Sequence, residues 1–283
     1  MINMKCYSVV LLSINKTKKW IKSAAGVVSV VLFITSIILL AITWSDYGNF
    51  SERVATNINN ILFGLATNLL GIIVTVSFVQ YFIDRQSEKD KHRKENLKIK
   101  RYDRIMRVLL ERYLMYFKCL TTPIEIRNKN DPLRMLDQFK FEDMCDLYRS
   151  SLYICEGLFE SSIELFYESE EILRNYMVKM IQNINFKYNE QLKEIIMDFV
   201  EKSIEYDVRG AVLRNMTTYC GEKRNSETIM EYIKDTSQDW IGKEQRGKLN
   251  SNIMLPYTRL YKLLKIEIEL IKGYEEYMNI NIR

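Results

Sequence analysis

Charge is absent from two long stretches of this 283-residue chain: none occurs between Ala24 and Ser45, and none over the 30 positions from Val54 to Ile83. Neither stretch reads as the surface of a water-soluble domain. Proline is scarce, with 3 residues, and glycine is sparse, with 10. That argues against a turn-rich β architecture, and plentiful Leu, Ile, Lys and Glu predict a mostly helical chain. The single histidine, His92, leaves little for histidine-dependent acid–base chemistry. Five cysteines (Cys6, Cys119, Cys145, Cys155, Cys220) contain no CxxC pair, which is poor material for a zinc site or a disulfide framework. They read as reduced thiols acting as small hydrophobes. The signatures HExxH, GxSxG, GxGxxG and the kinase set are missing. Gly242–Leu249, GKEQRGKL, comes close to a P-loop, but Leu249 holds the Ser/Thr position and no strand precedes it. The expectation is a non-enzyme with no catalytic residue, cofactor or metal ligand.

The uncharged stretches read as membrane helices. Ala24–Trp44 is 21 residues, about 32 Å of helix against a hydrocarbon core of about 30 Å. It exceeds a signal-peptide core and lacks a small-x-small cleavage site. The second span runs from about Ile61 to Ile83, and 45–60 reads as a short external loop with one cation, Arg53. Residues 1–23 are basic, and Arg85, Lys89, Lys91, Arg93, Lys94, Lys98, Lys100 and Arg101 follow the second span. Residues 1–104 hold 15 Lys/Arg against 7 Asp/Glu, whereas 105–283 hold 26 against 29. The positive-inside rule then places both termini in the cytoplasm. Trp20, Trp44 and Tyr81 fall where interfacial aromatics belong, and Asp84-Arg85 marks the cytoplasmic exit.

Small and polar residues interrupt both spans in register. Gly64, Asn68, Gly71 and Thr75 are spaced 4, 3 and 4, and so share one helix face. Gly26, Ser29, Ser36 and Thr43 form a similar stripe on the first span, with Phe33 and Leu40 at the intervening steps. Such stripes let helices approach and hydrogen-bond. They either close the hairpin or assemble a homo-oligomer. With no charge inside either span, a proton relay is disfavoured.

Beyond Arg85 a long juxtamembrane helix is expected to about 120, with Leu97, Ile105, Val108, Leu109, Tyr113 and Tyr116 at near-helical spacing. Its basic residues suit anionic headgroups, and nucleic acid is the alternative, diluted by interspersed acids. Pro123 breaks the pattern, and Asp131-Pro132 reads as an N-cap with proline at the first helical position. Helices are expected near 132–152, 157–185, 188–217, 226–241 and 251–278, with breaks at 220–225 and 242–248 and no strand. The resulting fold class is all-α: a transmembrane hairpin, the juxtamembrane helix, and a cytoplasmic helical domain over 121–283. Glu156, Glu160, Glu164 and Glu168 stand four apart, followed by Glu170 and Glu171. This stripe reads as a solvated face or as a docking surface for a basic partner, with the chain's own 85–104 helix as a candidate.

The stretch NLLGIIVTVxFVxxFIDR, Asn68–Arg85, followed by a charged helix, resembles the second span of small bacterial two-transmembrane proteins with helical cytosolic domains. Among these are the membrane effectors of retron-associated antiphage systems, which the chain resembles in size and layout. The resemblance covers mainly residues 60–105. It implies an inner-membrane effector held silent by a reverse transcriptase–noncoding nucleic acid complex and released on infection to damage the membrane and kill the cell. No active-site residue carries over. The alternative is a helical adaptor whose spans are inert anchors.

Overall fold

The computed structural model describes residues 24–43, 52–124, 138–150 and 160–282. The basic N-terminal segment, Trp20, Trp44, the Asp131-Pro132 cap and Glu156 lie outside the described residues. Of the described residues 81% are helical, which makes the chain all-α. Contacts divide it into two units, 1–91 and 92–283.

The first unit contains α1, Ala24–Thr43, and the first part of α2, Glu52–Thr121. At 1.5 Å per residue the 70 residues of α2 extend roughly 105 Å. Residues 52–60, expected as the end of the external loop, form the first turns of α2 instead. No proline or glycine interrupts them, and Glu52 lies favourably at the positive end of the helix dipole. The charge pattern located the edge of the apolar span, not the edge of the helix. Both helices are long and apolar enough to cross a membrane, and they are bare: 17% of the Gly26–Thr43 window and 6% of the apolar window of α2 are buried. A core helix of a water-soluble protein would show the reverse.

The second unit begins at His92, well before the expected boundary at 121. Ile99, Met106, Leu110, Tyr113, Phe117 and Leu120 are buried within its core, so this part of α2 is a core helix of the bundle. Helix α3, Ser162–Asn183, opens with a capping box. Ser161 Oγ accepts from the Glu164 N–H at 3.3 Å, and the Glu164 carboxylate accepts from the Ser161 N–H at 3.0 Å. Helices α4, Glu190–Glu205, and α5, Arg209–Thr217, replace the single helix expected over 188–217. Between them the Asp207 carboxylate accepts from the Arg209 N–H at 3.0 Å. The 220–225 break holds a two-residue ribbon, β1 (Tyr219–Cys220) with β2 (Lys223–Arg224). Gly221, at φ +65, makes the turn that a β-carbon would strain. The expectation of no strand therefore fails here, because a ribbon this short has no alternation to read.

Helices α6, Asn225–Lys234, α7, Trp240–Gln245, and α8, Leu255–Tyr277, complete the unit. The helix expected over 226–241 divides at 235–239, and the break expected at 242–248 begins inside α7. Residues 141–149, expected within a helix over 132–152, form a 3-10 turn, Phe141–Met144, and further turns. Ser150 bridges to Ser161.

The α3–α4 connection is held by Glu95. Its carboxylate accepts from the backbone N–H groups of Lys187 and Tyr188, both at 3.0 Å, and from Asn189 Nδ2 at 2.8 Å. Tyr277 of α8 donates to Asn189 Oδ1 at 2.9 Å. Glu95→Ala removes the acceptor of two backbone N–H groups and leaves Asn189 Nδ2 only its bond to Asn96 Oδ1 at 2.9 Å. The expected loss is about 1–3 kcal/mol, read as a lowered thermal midpoint of the full-length protein in detergent. Glu95→Gln, which keeps an acceptor, is expected to lose less.

Candidate functional site

The two small-residue stripes have different surroundings. On α1, Gly26, Ser29 and Ser36 are buried and Thr43 is half-buried, as a packing stripe requires. Phe33, expected on the same face, is exposed, and Leu32 is half-buried in its place. On α2 the covered side runs through Asn59, Leu62, Ala66 and Ile73, with Ala66 fully buried. Two residues at 100° each put Asn68 roughly 160° around the helix from Ala66. Asn68, Gly71 and Thr75 are exposed and Gly64 is half-buried, and a β-carbon at Gly64 or Gly71 would meet nothing within 4 Å. Within one copy the second stripe is therefore left uncovered. The hydroxyls of Ser36, Thr43 and Thr75 donate to carbonyls of their own helix, those of Leu32, Leu40 and Gly71. Among the described residues, Asn68 has no hydrogen-bond partner for its carboxamide.

The basic residues Lys89, Lys91, Arg93, Lys94, Lys98, Lys100 and Arg101 are all exposed. Lys98 Nζ donates to the Asn183 carbonyl at 2.7 Å, which ties that cation to the end of α3. The acidic stripe does not act as one surface. Glu160 is exposed, Glu164 caps α3, and Glu168 lies 3.6 Å from Arg112, beyond the 85–104 segment expected to meet it. Glu171 pairs with Arg209. Glu170 points into the core.

That core holds the least anticipated group of polar side chains. Tyr113 of α2 donates to Glu267 of α8 at 2.5 Å, and neither side chain is exposed. Among the described residues, Glu267 Oε1 has no hydrogen-bond partner, nor has the buried Tyr167 hydroxyl. Glu170 accepts from Ser203, while Arg174 reaches Ser203 Oγ at 2.9 Å and Glu170 at 3.4 Å. Burial, with Glu170 nearby, holds the Glu267 carboxyl well above its ordinary value of 4.5. Burial also raises Glu170, offset by its bonds from Ser203 and Arg174. Sequence reading missed Glu267 because its neighbours Ile266 and Ile268 and the acidic Glu269 give no sign of which face turns inward.

The P-loop-like GKEQRGKL begins inside α7, which Asp239 caps, and runs past its end. Asp239 accepts from the Gly242 N–H at 2.8 Å, and a β-carbon at Gly242 would sit 2.0 Å from Asp239 Oδ2. An open surface pocket is lined by Asp207, Val208, Gly210, Ala211, Leu255, Pro256 and Arg259. Among the described residues no group of three His, Cys, Asp or Glu side chains could hold a metal ion. Compared with models of known families, with curated proteins and with solved structures, the chain matches none.

Folding keeps the Glu267 proton that an unfolded chain releases above its ordinary carboxyl range. Stability from this group is thus present at acid pH and falls as pH rises toward neutrality. Glu267→Gln keeps the shape without the ionisation. Its thermal midpoint is expected to fall less than the wild type's between about pH 5 and about pH 8. Superimposable pH profiles for the two proteins would refute a protonated Glu267.

Proposed function

We propose that this chain is an inner-membrane effector of a bacterial antiphage abortive-infection system of the retron-associated type. Its two spans assemble with those of other copies and disrupt the membrane when the cytoplasmic bundle is released by its partner. Both termini lie in the cytoplasm, as the flanking cations require. A reverse transcriptase–noncoding nucleic acid complex is the regulator that the resemblance of Asn68–Arg85 implies.

The observation that carries the reading is the bare face of Asn68, Gly71 and Thr75 on an apolar helix. Lipid gives a carboxamide no hydrogen-bond partner, whereas the same face of another copy does, and small residues permit the approach. Each such bond contributes about 0.6 kcal/mol on average, so assembly draws on the whole stripe. A membrane-tethered adaptor with inert spans is the second reading, favoured by the use of α2 residues 92–121 as core of the bundle.

Expression without neighbouring genes is expected to depolarise cells and arrest growth, which an inert anchor would not do. The open space at Gly71 accommodates a larger side chain within one copy. Gly71→Leu and Asn68→Leu are therefore expected to fold and insert normally yet to lose growth inhibition. Undiminished arrest by both variants, at equal membrane levels, removes the stripe from the mechanism.

A further inference from the structure

Two helix faces of the second unit are bare, include exposed apolar residues and are oppositely charged. On α2, Lys94, Leu97, Arg101, Arg104, Ile105 and Val108 are exposed within an arc of about 100°. Val108 is 64% exposed. On α4, Glu190, Glu194, Met197, Asp198, Glu201 and Ile204 are exposed within about 120°, with Ile204 62% exposed. Among the described residues, ion pairs engage Arg107 and Arg112 of α2 but none of Lys94, Arg101 and Arg104.

Each face is unfavourable by itself. Like charges three and four residues apart weaken a helix, and water-exposed Leu, Ile and Val gain nothing from burial. The two faces relieve each other. Lys94 to Arg104 and Glu190 to Glu201 each span roughly 15–17 Å of helix, so the two charged runs match in length. Because both faces point outward on the same chain, they can meet only between copies. We propose that the bundle self-associates head to tail, with the basic face of α2 on one copy seated against the acidic face of α4 on the next. Unlike surfaces repeated in this way generate a ring or an open chain. The assignment deepens the proposed function by giving its homo-oligomer a cytoplasmic surface, and shared residence in a bilayer raises the effective concentration of the partner face.

The test uses full-length protein in vesicles of neutral phosphatidylcholine, mixing isotopically light and heavy copies. A zero-length carbodiimide reagent joins lysines to carboxylates they touch, and mass spectrometry identifies links between copies. Links from Lys94, Lys98 or Lys100 to Glu190, Glu194, Asp198 or Glu201 are expected, falling at least tenfold at high salt. Arg101→Glu with Arg104→Glu, or Glu194→Lys with Glu201→Lys, is expected to abolish them. All four reversals in one chain restore complementarity and oligomer size, measured at an unchanged thermal midpoint. Wild-type oligomers in either double variant, or no recovery in the quadruple variant, would overturn the interface. So would oligomers that form only when anionic lipid is added and that need the basic face while ignoring the α4 reversals. Growth arrest is scored separately: linked but harmless chains defeat the proposed function alone, and lethal but unlinked chains defeat the interface alone.

Discussion

The packing of α2 through Ile99, Met106, Leu110, Tyr113, Phe117 and Leu120 is the constraint on which the second unit depends. These residues recur at steps of seven, four and three, so one side of a single helix stays inward over six turns. Around it Tyr113 approaches Phe166, Phe117 and Phe199 with ring centroids 5.4, 5.9 and 6.1 Å apart. The same tyrosine closes the polar core by donating to Glu267. Removing water from that carboxyl carries a desolvation cost that protonation avoids. A second buried bond repeats the theme nearer the other end, where Tyr274 of α8 donates to Asp103 at 3.0 Å and Arg107 holds the remaining oxygen at 3.1 Å.

With one side of α2 committed to the core, its other side is left bare and basic. The contrast with α4 follows from the same economy of faces. Leu192, Ile196, Phe199 and Ser203 turn inward there, and the acids are what remains outside. In the first unit the logic is different, because apolar residues face outward and small ones inward. Gly26, Ser29, Ser36 and Ala66 are the buried points among the described residues of the apolar windows. Both helices are long and apolar enough to cross a membrane, and their large side chains face outward.

Several features were legible in the sequence. The all-α class, the two apolar helices, the continuation of the second beyond Arg85 and the stop before Pro123 each follow from composition or from a local steric rule. On α1, Gly26, Ser29 and Ser36 of the expected stripe are buried, whereas Phe33 at one of its intervening steps is exposed. The inner face of 92–121 was not legible. Leu97, Ile105 and Val108 were expected on the apolar repeat and are 49%, 53% and 64% exposed, while Asp103 is buried. A helix with apolar residues on both sides has two candidate stripes, and hydrophobicity does not rank them when a buried carboxylate lies on the true one. The acidic run at 160–171 misled in the same way, because spacing says nothing of a cap, a salt bridge or a core position.

Sequence alone determined that the chain is mostly helical and where it is free of charge, because both properties are set by neighbours within a few residues. Tertiary structure decided which side of each helix is covered. That choice depends on residues such as Tyr113 and Glu267, which are 154 positions apart and meet only once the bundle has formed. The Asn68 stripe shows the division most plainly. Its period is written in the sequence, yet only the placement of Ala66 on the far side shows that it remains open.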